Sequence, residues 1–509
     1  MKEILNEKVV MQFYLEELSN GNIDFLEHKK YLKKRVEELL GELVEADAMN
    51  QKIQIATGLW KVLFEASMSY IDPEKQGYNQ LFSYFDEYVE FEELIFASDS
   101  FYRDHTLHCL WVYFLGEYIC RKPEYYDLFE DNREDESFQN SLKMLFVRLG
   151  MESEKNVKRF IDATSLAEGF EVYYPALRCV SALTHDLGYP LKKIEKINKS
   201  IRKVMPYYAI NQYEEFSFDY SNLQQHFLQV FLDILSYDLG VNLKSEGVDF
   251  LSDLFLMEKE KVVGLNEEAI NKLTKEQIEL LREKLECRFG GTTNEAIRMA
   301  YANDLEAYQH GIMSAYLLMK NVKAFQDLDS HMDFEVKLGV DMEGINRWNV
   351  KKEILNNIAN HTSSNYRIRK LDKSAYLTFI DELEEFSRLS RASQSREYVQ
   401  EFCTSRIYMD EGWLNIDFTF DNEQLDNLNP EIAFKGRCKR FLTLFDIGKL
   451  SPNLKIRLNC IGEIESDHNC YTLEIARKYA DIMINQKSIC IPEYLKSNEF
   501  YSKEEYMAM

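Results

Sequence analysis

The sequence predicts a mainly α protein that ends in a small mixed α/β lobe, and three observations carry that prediction. Apolar residues recur at helical spacing over most of the chain, and the pattern changes to strand-like alternation only after Arg391. Proline is scarce, at 8 of 509 residues, while Tyr and Phe number 31 and 32. Few prolines and many bulky apolar side chains favour long packed helices over many-turned β structure.

Length and composition bound the rest. A chain of 509 residues exceeds what one simple core holds, so one large elaborated domain with smaller lobes is expected. Hydrophobic residues at 45% and charged residues at 29% give a globular balance, not a disordered one. A formal net charge of −25 repels phosphate backbones, which disfavours long nucleic acid as a partner. A metal and a few cationic side chains can still invert the potential locally for a small anion. The 9 cysteines show no CxxC spacing and read as reduced thiols. The start, MKEILNEKVV, lacks the apolar core of a signal peptide, and no run of about 18 apolar residues suggests a membrane span. A cytoplasmic protein without a membrane partner is expected.

Residues 1–97 read as an N-terminal helical region. Leu32, Val36, Leu39, Leu40, Leu43 and Val44 form one helical stripe with Lys and Glu between them, and Asp72-Pro73 and Gly77 break a later helix. This region shows no chemistry and suits packing or formation of a homo-oligomer.

Residues 98–395 hold the candidate chemistry. Phe101–Ile119 reads as a buried helix, with Leu107, Leu110, Trp111, Phe114 and Leu115 apolar and Arg103, His105 and His108 at its polar start. Two histidines three apart lie on neighbouring faces and can look into one cavity. A helix through Ala176, Val180 and Leu183 then leads to His185-Asp186, after which Gly188 and Pro190 turn the chain. The following helix is basic, with Lys192, Lys193, Lys196, Lys199, Arg202 and Lys203, a cluster able to neutralise phosphate. Residues 206–287 read as a helical insertion closed by a turn at Gly290-Gly291-Thr292-Thr293, which lacks the lysine and spacing of a P-loop. One helix, NDLEAYQHGIMSAYLLM, is expected to carry His310, with small Gly311, Ser314 and Ala315 admitting a close neighbour. VKKEILNNIANHTS ends on His361, and SAYLTFIDELEEFSRLSR shifts from apolar to acidic at Asp381.

Residues 396–509 read as a small mixed α/β lobe and a C-terminal tail. Trp413, Leu414, Ile416, Phe418 and Phe420 mostly alternate, as do Leu454, Ile456 and Leu458, and a helical run at Ala433–Phe445 lies between them. The pattern over Glu397–Cys460 is β-β-α-β, followed by a helix and a loose tail.

Polar residues that interrupt apolar helices therefore occur in the order His105, His185-Asp186, His310, His361, Asp381. With RDHTLH, THDLGYP, HGIMSA, NHTS and LTFIDELEEFSR around them, this ordered set resembles the HD superfamily of metal-dependent phosphohydrolases, over roughly Tyr102–Arg391. The resemblance implies a helical HD-type bundle in which His105, His185, Asp186 and Asp381 form the basic metal site. His310 and His361 are implied as the further ligands of members that hold two metals. His108 competes with His105 for the first position and Asp446 with Asp381 for the last; Asp381 is preferred because it lies within the helical body.

Imidazoles and carboxylates without thiolates suit one or two divalent ions among Mn, Fe, Co, Ni and Zn. Asp186 can bridge two ions while His185 binds one of them. The implied reaction is hydrolysis of a phosphoester or phosphoanhydride bond of a nucleotide-like substrate by metal-activated water. Arg103, Lys192, Lys193 and Arg367 are candidates to hold the other phosphates, and His108, if not a ligand, to protonate the leaving oxygen. Two other readings compete: an HD-type nuclease, and a non-catalytic nucleotide-binding regulatory protein that keeps the fold.

Overall fold

A computed structural model describes residues 3–96, 101–129, 171–210, 212, 214–215, 222–243, 271–284, 287–328, 334–336, 343–372, 374–385, 388–391, 399–401, 403–423 and 428–490. Helices open the chain: α1 (Glu7–Ser19), α2 (Lys30–Glu45), α3 (Met49–Ile71) and α4 (Asn79–Phe96). The stripe read from sequence is the buried face of α2, where Leu32, Val36, Leu39, Leu40 and Leu43 pack towards α3. Trp60 of α3 stacks between Phe64, at 5.3 Å, and Phe85 of α4, at 4.0 Å. Such offset aromatic pairs add about 0.5–1.5 kcal/mol beyond the area they bury.

Strand β1 (Phe101–Arg103) precedes α5 (His105–Arg121), which starts where it does because Asp104 caps it. The Asp104 carboxylate accepts from the amides of Thr106 and Leu107, both at 3.1 Å. From His105 to Ile119 every residue of α5 is buried, so this helix is the centre of the body rather than a surface element. Helix α6 (Tyr174–Thr184) packs on α3 and α5, and α7 (Tyr189–Val204) follows it after a short turn.

The stretch after α7 departs from the helical expectation. Helix α8 (Asn222–Leu235) runs into strand β2 (Tyr237–Leu243), and α9 (Lys275–Lys284) is followed by β3 (Cys287–Thr293). Gly290-Gly291-Thr292-Thr293 is therefore strand, not turn: Gly290 pairs with Gly240 and Gly291 with Leu239. The YDLGVNL alternation supplies the strand period that its leucine content obscured.

Helix α10 (Glu295–Glu306) and helix α11 (His310–Asn321) replace the single helix expected there. The chain breaks between them, with Tyr308 at φ 48°, so His310 opens a helix instead of lying inside one. Strand β4 (Phe334–Val336) completes the small sheet in the order β2-β3-β4. Helix α12 (Glu343–Asn360) packs on α6 and α11, and α13 (Tyr376–Leu383) packs on α5. Strands β5 (Arg388–Arg391) and β6 (Val399–Glu401) join β1 in a second three-stranded sheet, ordered β1-β5-β6.

The C-terminal part is larger than the expected β-β-α-β. Strands β7 (Thr404–Asp410) and β8 (Trp413–Phe420), helix α14 (Pro430–Leu444) and strand β9 (Ile456–Gly462) follow the expected order. In place of the expected helix the chain forms β10 (Cys470–Ala476), β11 (Tyr479–Ile484) and β12 (Lys487–Cys490), giving a six-stranded sheet ordered β12-β11-β10-β9-β8-β7, and the expected tail after residue 490 lies outside the described residues. The signal lay in short turns: Asn485 and Gln486 both take positive φ, as a two-residue hairpin requires. Strands β8 and β9 are parallel, and α14 makes the crossover and covers β9 and β10. One continuous apolar core runs from Leu5 to Ile482, so helices and sheet share it.

Candidate metal centre

Five helices deliver polar side chains to one buried point. His108 comes from the second turn of α5, His185 and Asp186 from the end of α6, His310 from the first residue of α11, His361 from the end of α12 and Asp381 from α13. His185 Nε2 lies 3.3 Å from His108 Nε2 and 3.3 Å from Asp186 Oδ2. Asp381 Oδ1 lies 2.9 Å from His108 Nε2 and 3.8 Å from His185 Nε2. On the other side, Asp186 Oδ1 faces His310 Nε2 at 3.3 Å and His361 Nε2 at 3.6 Å. Asp186 thus divides its two oxygens between two groups of imidazoles.

Local folding aims these rings. His185 and His361 each follow the last residue of a helix, where carbonyls lack an intrahelical donor. His185 Nδ1–H donates to Ala182 O at 2.7 Å, and His361 Nδ1–H donates to Ile358 O at 2.6 Å. A carbonyl can only accept, so Nδ1 of each ring carries a proton and Nε2 is the nitrogen turned to the cluster. His108 is held by a carboxylate: its Nδ1 lies 2.5 Å from Glu384 Oε2, with Glu384 fully buried. A histidine braced through its outer nitrogen by a carbonyl or carboxylate is the usual arrangement of a metal ligand.

The turn bearing Asp186 is fixed from three sides. Trp60 Nε1–H donates to Leu183 O at 2.7 Å, Tyr84 O–H to Leu187 O at 2.5 Å and Tyr88 O–H to Asp186 O at 3.4 Å. Helices α3 and α4 therefore satisfy the carbonyls that α6 leaves open. Gly188 N–H donates to Ser314 Oγ, which donates to His310 O, both at 2.7 Å. A Cβ at Gly188 would lie 2.4 Å from His310 O, and one at Gly311 would lie 2.6 Å from Ile358 O. Only glycine lets these three ligand-bearing segments approach so closely.

Electrostatics mark the cluster as attractive to cations. Burial would raise the Asp186 carboxyl, but His185 and the facing His310 and His361 rings hold it well below the usual carboxylate range. Burial would lower His185, yet Asp186 and Cys109 hold it well above its ordinary value. Burial outweighs Asp186 at His310, which is lowered and stays neutral. Cys109, whose Sγ lies 3.9 Å from His185 Nδ1, is pushed up by burial and remains a thiol. His361 Nε2 is buried and has no hydrogen-bond partner. A buried imidazole lone pair without a donor, beside a low-lying carboxylate, fits a divalent cation. Among the described residues, three sets of groups lie close enough to hold one: His108, His185 and Asp186; His185, His361 and Asp381; and Asp186, His310 and His361.

The other residues singled out by sequence take different places. His105 lies outside these three sets: its Nδ1 lies 2.8 Å from Glu92 Oε2 and its ring lies 4.0 Å from that of Tyr189. The three-residue spacing that let both histidines face one cavity instead turns them to neighbouring partners. Asp446 is away from the cluster, paired with Arg369 at 2.9 Å. Lys192 and Lys193 are half-buried on α7; Lys192 Nζ donates to Ala307 O at 3.4 Å and Lys193 Nζ sits 4.5 Å from the Tyr189 ring centre. Arg367 is half-buried in the segment after His361. Arg103 ends β1, and its side chain lies outside the described residues.

Sequence reasoning missed Glu384, Glu92, Trp60, Tyr84 and Tyr88. Glu384 was legible in principle, since it follows Asp381 by three and shares its helical face. The donors from α3 and α4 carry no local signal. No described helix is long and apolar enough to cross a membrane. Comparison with protein-family models, curated proteins and solved structures returns no match.

Proposed function

We propose that this protein is a metal-dependent phosphohydrolase with an HD-type helical body within 98–395, acting on a small phosphorylated, nucleotide-like substrate. The observation that carries the reading is Asp186, whose two oxygens face separate groups of inward-aimed imidazole Nε2 atoms in a buried cluster. His108, His185, Asp186 and Asp381 would hold one divalent ion, and Asp186, His310 and His361 a second. Nitrogen and oxygen donors without thiolate suit Mn, Fe, Co, Ni or Zn. Bound there, such ions supply an acidified water and neutralise charge on phosphoryl oxygens.

The chain's own residues support that chemistry in three ways. Glu384 and the Ala182 and Ile358 carbonyls keep the imidazoles oriented. Burial of His108, His185, Asp186 and His361 lowers the local dielectric, which strengthens charge interactions among them. Lys192 and Lys193 stand near the start of α7, the helix that follows Asp186, and as cations would neutralise substrate phosphates that do not react; in a chain of net charge −25 such local reversal is needed. His105, which lies outside the three ligand sets, is left for proton handling rather than metal binding.

The test is a panel of nucleotides and phosphoesters incubated with the protein and Mn²⁺. Phosphate release that disappears in His185→Ala and Asp186→Ala, with both variants folded by circular dichroism, is expected. Absence of both transition-metal binding and hydrolysis would overturn the enzyme reading. Degradation of single-stranded DNA with no mononucleotide cleaved would identify a nuclease, and nucleotide binding without turnover a regulatory protein.

A further inference from the structure

The turn that follows α13 has two sides. Asp381 and Glu384 face the cluster, where they meet the two ring nitrogens of His108 at 2.9 and 2.5 Å. Glu382 and Glu385, which alternate with them, face α14 instead. Glu385 Oε1 lies 3.1 Å from an Arg437 guanidinium nitrogen, and Arg440 Nε donates to Glu382 Oε1. A second Arg440 nitrogen donates to the carbonyl of His361 at 3.1 Å. Arg437 and Arg440 are three apart, so they lie on one face of α14. Together they grip the carboxylate turn and the backbone of His361, two segments that approach the cluster from different helices.

We propose that Arg437 and Arg440 are positioning residues through which the C-terminal lobe sets the cation affinity of the buried cluster. Neither reaches the candidate ligand atoms: Arg437 acts through Glu385, and Arg440 through Glu382 and the backbone carbonyl of His361. Arg440 is the stronger candidate because one planar guanidinium ties Glu382, next to Asp381, to the peptide of His361, fixing their separation. Arg437 is anchored from behind, its guanidinium carbon 4.4 Å from the ring centre of Phe418 and 5.7 Å from that of Phe420, both on β8. Helix α14 crosses from β8 to its parallel partner β9, so a shift of the sheet is transmitted to the helix and its arginines. Main-chain bonds reinforce the link: Ile368 N–H donates to Leu444 O at 2.8 Å and Asp446 N–H to Ile368 O at 2.9 Å, joining the end of α14 to the segment after His361. A pair of arginines serving only to glue the lobe to the body would have no reason to select the turn and the carbonyl beside two candidate ligands.

The inference rests on the cluster holding a divalent ion, so the experiment separates the two. Mn²⁺ binding to the full-length chain is measured by titration calorimetry for wild type, Asp186→Ala, Arg437→Gln/Arg440→Gln, and Arg457→Gln. Arg457 pairs with Glu474 at 2.7 Å within the sheet and serves as a lobe control. The expected result is Mn²⁺ binding by wild type, its loss in Asp186→Ala, an about tenfold or greater weakening in the double arginine variant, and wild-type affinity in Arg457→Gln. Wild-type affinity in the double variant would overturn the inference while leaving the metal site standing, as would equal weakening in Arg457→Gln. No Mn²⁺ binding by wild type would overturn the metal reading and this inference with it. If the double variant does not fold, Arg440→Glu is compared with Glu382→Arg/Arg440→Glu. Affinity regained by the reversed pair supports the coupling, and affinity as poor as in Arg440→Glu alone refutes it.

Discussion

Asp186 works as a divider: Oδ2 faces His185 and His108, Oδ1 faces His310 and His361. Removing it would strip both halves of the cluster at once, leaving Asp381 beside His108 and His185 and no carboxylate facing His310 and His361. Asp186→Ala is therefore expected to lower Mn²⁺ affinity by more than the about 10–100-fold typical of losing an outer partner, with far-ultraviolet circular dichroism unchanged. His105→Ala provides the contrast. Its ring is committed to Glu92 and Tyr189, so Mn²⁺ affinity should stay within a few-fold of wild type while hydrolysis falls. Equal loss of affinity in the two variants would reassign His105 to the cluster.

At the scale of elements, α5 and α6 are clamped by a buried carboxylate. Glu117 of α5 meets Arg121 of its own helix and Arg178 of α6, both at 2.6 Å, and its side chain is fully buried. Burial alone would raise the Glu117 carboxyl, but Arg178 and Arg121 hold it below its ordinary value of 4.5. Glu117→Gln would leave the Arg178 guanidinium without its counter-charge and Arg121 with only Glu17, at 3.6 Å, at a cost of about 3–5 kcal/mol in urea unfolding. The pH dependence follows from the depressed folded pKa. The stabilisation is fully present above pH 4.5 and is lost as pH falls through the lower folded value, so wild type and Glu117→Gln should converge in acid. A gap that is constant down to the folded pKa and below would show that the carboxylate charge is not what stabilises the pair. Because α5 bears His108 and α6 bears His185-Asp186, the clamp also fixes the distance between candidate ligands.

At the scale of the whole molecule, the cluster lies where helices from distant parts of the chain meet, inside one core that runs from Leu5 to Ile482. A cation bound there ties those helices together only in the folded state. Mn²⁺ at a hundred times its dissociation constant should stabilise the wild type by about 2.7 kcal/mol, seen as a rise in melting temperature that chelation reverses. Asp186→Ala should show no such rise. A melting temperature indifferent to Mn²⁺ in wild type would remove the metal from the folded state's stability altogether.

The sequence by itself determined what local patterns encode. Helical periodicity gave the stripe of α2 and the strongly apolar, buried α5, and alternation gave β8 and β9. Polar residues breaking apolar helices singled out His105, with His108 as its rival, and His185, Asp186, His310, His361 and Asp381, because a buried helix tolerates such groups only where they are paired. Strand β2 escaped notice because it pairs with β3, far along the chain, and β10 to β12 because their two-residue turns, Arg477-Lys478 and Asn485-Gln486, lack the glycine that usually marks a hairpin. Only the tertiary structure decided between neighbours of the same chemistry. His105 and His108 are equivalent in sequence, three apart at one helix start; Glu92 and Glu384 arriving from other helices turn one away from the cluster and the other into it. Asp381 and Asp446 are likewise separated by position, one beside His108 and one beside Arg369. Periodicity places a side chain on a face of its own helix. Which partner that face meets depends on packing between segments hundreds of residues apart, and no local pattern records it.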